Sequence, residues 1–165
     1  MTDEKPTLDR TDFAIIDQLQ KDARLSNKEL AARVGLAASS CLVRVRRLVD
    51  EGVFAGFHAE VDPAALGVGL AAVISVQLGR HGRNTIEGMR DRIARLPEVL
   101  QLFHVGGSQD LLVHVVVRDP DHLRTLVMDH FSNAEEVAHI ETALVFEHLR
   151  SPLRPLAPGA AGAAG

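Results

Sequence analysis

The densest chemistry in this 165-residue chain is a run of cations: Arg24, Lys28, Arg33, Arg44, Arg46 and Arg47, opposed before Asp50 by Glu29 alone. That stretch carries +5 in a chain whose formal total is −4, so the remainder sums to −9. A polyanion is met by a surface and not by an average charge, so the acidic total does not exclude phosphate as a partner. The plain alternative is a solvated helix face. A second constellation is Gly106-Gly107-Ser108-Gln109-Asp110. Its glycine N–H groups can meet a carboxylate and Asp110 an ammonium, although the same residues also make an ordinary hairpin turn.

Other reactive side chains form no constellation. The eight histidines show no metal-ligand spacing. His104 and His114 sit among Val, Leu and Phe on adjacent predicted strands, which favours hydrogen-bonded core or interface histidines over ligands. Cys41 is the single cysteine, so neither an intrachain disulfide nor a cysteine-based zinc cluster is expected. A lone cysteine within a basic helix reads first as a small apolar side chain and second as an oxidation-sensitive position. No nucleophile elbow, Walker loop or dinucleotide fingerprint occurs, and Gly67-Val68-Gly69 lacks the third glycine. We therefore expect no enzyme, no cofactor and no metal. The acidic, polar N-terminus and the lack of any long apolar run point to the cytoplasm.

The elements that position the cations are punctuated clearly. Asp9 can cap a helix with a core face of Phe13, Ile15, Ile16 and Leu19, and Leu8 with Phe13 has the spacing of a hydrophobic staple. Ser26-Asn27-Lys28-Glu29 is a capping box opening a short helix that stops at Gly35. A third helix runs from about Ala38 to Glu51 and stops at Gly52. A short helix, a glycine-containing turn and a longer helix make a helix-turn-helix. At 100° per residue, Leu42, Val45, Leu48 and Val49 should pack inward, leaving Ser39, Ser40, Val43, Arg44 and Arg47 outward. Small residues followed by arginine suit a major groove, with Arg46 and Lys28 beside them for phosphate.

Beyond Glu51 the period changes. Val53–Val61 reads as a wing or connecting strand, broken by Asp62-Pro63. Strands are predicted over 70–78, 99–105, 111–118 and 137–149, with helices over 85–96 and 120–131. That order, βαββαβ, is the split-βαβ or ferredoxin-like arrangement. The two middle strands, Val99-Leu100-Gln101-Leu102-Phe103 and Leu111 to Val117, are apolar on both faces, whereas helices cover only one. A second copy of the sheet is the simplest cover for the other face, the alternative being the N-terminal unit folded across it.

Read together, these segments resemble the Lrp/AsnC family of regulators, also called feast/famine proteins. The likeness is carried by Leu8-Asp9-Arg10-Thr11-Asp12, Leu19 to Arg24, Ser26 to Ala31, Val34-Gly35-Leu36, Cys41 to Leu48, Glu51-Gly52-Val53 with Gly56-Phe57, Leu96-Pro97-Glu98-Val99 and the glycine hairpin. It spans about residues 8–149. It implies a homodimer, often assembled further, that presents paired helix-turn-helix units to a pseudo-palindromic site on double-stranded DNA. It also implies an amino-acid effector bound near the loop Gly106, Gly107, Ser108, Gln109 and Asp110, with His104, Leu111 and Thr142 flanking. Ala37-Ala38-Ser39 stands where relatives have Ser-Pro-Ser, a lost cap worth about 0.5–2 kcal/mol. Gly106, Ser108 and Leu111 replace the family's usual Thr, acid and aromatic, so the ligand need not be leucine or asparagine.

The expected fold is thus α+β: a winged helix-turn-helix over 1–60, a linker over 61–69, a ferredoxin-like effector and dimerisation domain over 70–150 and a disordered tail over 151–165. The expected function is sequence-specific DNA binding modulated by a small molecule. The competing reading is a metabolite-binding or assembly module whose N-terminal unit contacts protein.

Overall fold

The computed structural model of the chain describes residues 6–79 and 83–155. Two compact units emerge, divided near Glu60 and again near Leu149.

In the first unit, α1 (Arg10–Lys21), α2 (Asn27–Val34) and α3 (Ala38–Asp50) enclose Ile15, Leu19, Leu30, Ala31, Cys41 and Leu48. Asp9 and Asp12 form a reciprocal capping box on α1, and Ser26 with Glu29 does the same on α2. Gly35 ends α2 in the left-handed region, at φ 69°, where a Cβ would be strained. Ala37 gives α3 no side-chain cap, as its methyl dictates. Instead the Asn27 Nδ2 donates to the Ala38 carbonyl at 2.7 Å, tying the start of α2 to the start of α3. Residues 53–62 carry no strand ladder, so the expected wing strand does not form there. Val53 and Phe54 pack on the core, and Phe54 and Phe57 lie 5.3 Å apart. Leu153 exchanges two hydrogen bonds with the Gln20 amide, at 2.7 and 3.0 Å. Residues 151–155 have neither helix nor strand, and the rest of the expected tail lies outside the described residues.

The second unit contains β1 (Leu70–Leu78), α4 (Arg83–Ile93), β2 (Val99–His104), β3 (Leu111–Val117), α5 (Pro120–Val127) and β4 (Val137–Val145), in the sheet order β2-β3-β1-β4 with every neighbour antiparallel. This is the expected βαββαβ arrangement. The predicted helix over 120–131 gives way at Met128–Ser132 to a π turn that seats Phe131 in the core. Ala72, Ile74, Val76 and Leu78 alternate with Leu111, Val113, Val115 and Val117 beneath Met89, Ile93, Leu123 and Leu126. Helices therefore cover one face. On the other lie Val73, Leu112, Val116 and His114, with Phe103 half exposed beside them. A Cβ at Gly69 would collide with the Arg118 carbonyl oxygen, so glycine is needed where the chain enters β1.

Candidate DNA interface and effector loop

α3 is turned roughly 60° from the orientation its apolar periodicity predicts. Cys41 and Leu48 are fully buried, Val45 is partly so, and Leu42 and Val49 remain 38% and 44% exposed. The reason is a carboxylate that apolar periodicity does not register. Asp12, on the inner face of α1, is only 1% exposed. Its Oδ1 accepts from Arg44 Nη1 at 2.8 Å and its Oδ2 from Arg47 Nη2 at 2.6 Å. Arg44 also reaches Asp9 at 2.7 Å, and Arg47 approaches Glu51 at 3.7 Å. Arg44 and Arg47, expected on the outer face with the serines, are instead drawn against α1 because a buried carboxylate must be paired.

Burial works against the ionised Asp12 carboxyl. The Arg47 guanidinium, the Asp9 N–H and the Arg44 guanidinium outweigh it and hold the pKa below the ordinary carboxylate value. Asp12 and Asn27 were both overlooked in the sequence. An Asp three residues after a capping Asp was the available signal for the first; Asn27 had none beyond its place in the α2 box.

The open face of α3 carries Ser39, Ser40, Val43 and Arg46, with Lys28 exposed on α2. Val43 is 66% exposed. Cys41 lies in the core and burial pushes its thiol pKa up, so it is a small apolar side chain and a poor target for oxidation.

In the second unit residues 106–110 lie in the hairpin connection between the antiparallel strands β2 and β3, as expected. The Val105 N–H donates to the Asp110 carbonyl and the Asp110 N–H to Val76, both at 2.9 Å. Asp110 Oδ2 accepts from the Leu78 N–H at 2.8 Å, bracing the hairpin against β1. Gly107 takes φ 130°, which favours glycine. Gly106, Gly107 and Ser108 are exposed, whereas the Gln109 Oε1 is buried with no hydrogen-bond partner. His104 lies at the end of β2, exposed and paired in register with Leu111.

Two flanking candidates do not join the loop. Leu111 is fully buried in the core beneath the helices, because β3 begins there and alternation turns it inward. Thr142 pairs with Ile74, two strands over and two residues along from the Leu111–Val76–Ile140 row, on the order of 12 Å away within one chain.

His114 is 9% exposed, and its ring lies 5.4 Å from that of His148. Its Nε2 is buried without a partner, contrary to the expected hydrogen-bonded histidine. Burial, then the nearby His148, lowers its pKa. Above pH about 6.5 the ring is neutral whether folded or unfolded. Below that, the unfolded chain takes up a proton that the folded chain refuses, so stability falls until the folded pKa is reached. Chemical denaturation of His114→Gln at pH 7 and pH 5.5 should show a smaller loss on acidification than the parent chain.

A basic helix-turn-helix joined to a ferredoxin-like sheet with a braced glycine loop defines a DNA-binding protein with a separate sensor domain. The family model for a winged helix-turn-helix DNA-binding domain matches residues 8–54, and that for the Lrp/AsnC ligand binding domain matches residues 71–153. The chain belongs to the Lrp/AsnC family of transcriptional regulators. Similar proteins include the HTH-type transcriptional regulator AldR of Mycolicibacterium smegmatis, 43% identical over 88% of this chain and 86% of its own. The leucine-responsive regulatory protein of Escherichia coli is 33% identical over 89% and 90%. A transcriptional regulator of Neisseria meningitidis solved in complex with L-Met superposes with TM-score 0.82 at 31% identity, over 88% of this chain and 94% of that one.

Proposed function

We propose that this chain is a homodimeric, sequence-specific regulator, acting in the cytoplasm, that places α3 in the major groove and adjusts its DNA affinity to an amino acid held at the Gly106–Asp110 loop. The DNA contacts are Ser39, Ser40, Val43, Arg46 and Lys28. Arg44 and Arg47 stand at the margin, contributing to phosphate only through N–H groups that Asp12 leaves free. The half-apolar open face of the sheet, Val73, Leu112, Val116 and Phe103, is the surface we assign to the second protomer.

The observation that carries the effector assignment is the orphaned Gln109 carbonyl oxygen. A buried acceptor without a donor is rare and, with the Asp110 carboxylate for counter-charge, suits an incoming ammonium. The Gly106 and Gly107 N–H groups suit the carboxylate of the same ligand. The L-Met bound by the Neisseria relative supports an α-amino acid as the class. Occupancy then supplies a coupling free energy of about 1–3 kcal/mol between the loop and the paired DNA-binding units.

The test is fluorescence anisotropy with the duplex upstream of the protein's own gene against a scrambled duplex, at two salt concentrations, with and without pooled amino acids. We expect preference for the native duplex, a steep salt dependence and a shift with the pool. Arg46→Ala and Lys28→Ala should each flatten the slope of log affinity against log salt by about 0.9, one phosphate contact apiece. Binding that is indifferent to salt and sequence would make protein contact the function of the N-terminal unit.

A further inference from the structure

α3 carries three arginines, and the two that its periodicity turns toward bases, Arg44 and Arg47, are engaged elsewhere. Specific guanine readout takes two guanidinium N–H groups aimed together at O6 and N7. In Arg44, Nη1 is shared between Asp9 and Asp12, at 2.7 and 2.8 Å. In Arg47, Nη2 is on Asp12 at 2.6 Å and Nη1 lies 3.7 Å from Glu51. Turning either fork toward a base strips one of two partners from a carboxylate buried to 1% exposure, and turning both leaves a buried charge unpaired, which is strongly disfavoured.

What remains on the open face is Arg46, in the C-terminal half of α3 and assigned above to phosphate, together with residues of a different chemistry. The N-terminal half of a recognition helix approaches base edges, and here that half presents Ser39, Ser40 and Val43. The serine hydroxyls donate or accept and so discriminate little between bases. Val43, 66% exposed, has only methyl groups to offer. The one apolar group on the major-groove edge of any base is the thymine 5-methyl.

We infer that α3 reads thymine methyl groups through Val43, and that Asp12 is a positioning residue that keeps Arg44 and Arg47 off the base edges. The inference rests on the DNA-binding reading of the first unit and adds which base chemistry it recognises.

The test uses the full chain and needs no known operator. A preferred duplex is selected from a random-sequence pool with the parent protein. It is then resynthesised with each thymine singly replaced by deoxyuridine, which pairs identically but lacks the methyl. At one or more positions per half-site the replacement should weaken binding about fourfold, the worth of one buried methyl. Val43→Ala, an exposed change, should bring that ratio close to one at the same positions. Asp12→Asn keeps an oxygen for the Asp9 N–H but drops the charge, so the sequence it selects should gain a guanine. A thymine-to-deoxyuridine ratio near one throughout overturns the inference. So does a guanine preference in the parent that is lost in Arg44→Lys or Arg47→Lys, which keep charge but not the fork. If the parent enriches no sequence at all, the DNA-binding reading itself fails and the inference with it.

Discussion

Replacing Arg44 and Arg47 together by alanine should destabilise the helix-turn-helix unit by about 3–5 kcal/mol, whereas either replacement alone should cost about 1–2 kcal/mol. The asymmetry follows from what each change leaves behind. Both guanidinium groups are partly exposed, so each pair is screened by water and worth little by itself. Asp12 is not exposed, and its two oxygens face one arginine each. After one arginine is lost the other still neutralises the carboxylate; after both are lost only the Asp9 N–H remains. A double-mutant cycle read by thermal or urea unfolding, without DNA, should therefore show a clear excess in the double variant. Adding Asp12→Asn to the double variant should recover most of the loss, because the buried charge is then gone. Simple loss of arginine packing would not be rescued.

The pH dependence separates the same species. In the parent, the Asp12 pKa is depressed, so its contribution is fully present above the unfolded value near pH 4 and is lost as pH falls through the folded value. In the double variant burial, the largest influence on this carboxyl, is opposed only by the Asp9 N–H and the sign reverses: the folded carboxyl holds its proton to higher pH than the unfolded one. Acidifying from pH 7 toward pH 5 should then stabilise the double variant while leaving this contribution in the parent unchanged. Equal responses in the two proteins would mean that Asp12 is not the group that the arginines serve.

Much of this architecture was legible because the chain punctuates itself. The Ser26–Glu29 box, Gly35 and Gly52 fix the ends of α2 and α3 by chemistry that acts within a few residues, and the structure reproduces them. The alternation of β1 and β3 likewise fixes which side chains enter the core. Periodicity fails where a long-range ion pair competes with it. Counting Arg44 and Arg47 as outward and Leu42 as inward is right for a helix packed on hydrocarbon alone. Here α1 presents Asp12, thirty-two residues from Arg44, and the pairing rotates α3 until Cys41 takes the inward position. The loop shows the converse limit. Its residues are legible as a hairpin by type, whereas an effector role for them, with Leu111 and Thr142 beside them, is what the resemblance implies. Alternation turns the Leu111 side chain into the core, and strand register sets Thr142 two strands away within one chain.

Asp110, a brace on β1 and in the proposed reading also a ligand contact, gives the second large effect. Asp110→Ala removes the acceptor of the Leu78 N–H, a group almost wholly buried, and should cost about 1–3 kcal/mol while loosening the hairpin. Any amino-acid response would be lost with it, so that variant alone cannot tell a brace from a ligand contact. Asp110→Asn can. Its amide oxygen still accepts from Leu78, so the stability measured by denaturation should stay within about 1 kcal/mol of the parent. Its charge is gone, and an ammonium that relied on a carboxylate should bind about tenfold or more weakly, the worth of a hydrogen bond to a charged group. We expect that split: a folded Asp110→Asn protein whose DNA affinity no longer responds to the amino acids that shift the parent. Should the response survive, Asp110 is a brace alone. The ammonium would then be met at the unpartnered Gln109 Oε1, and Gln109→Leu becomes the variant that should silence the sensor without unfolding it.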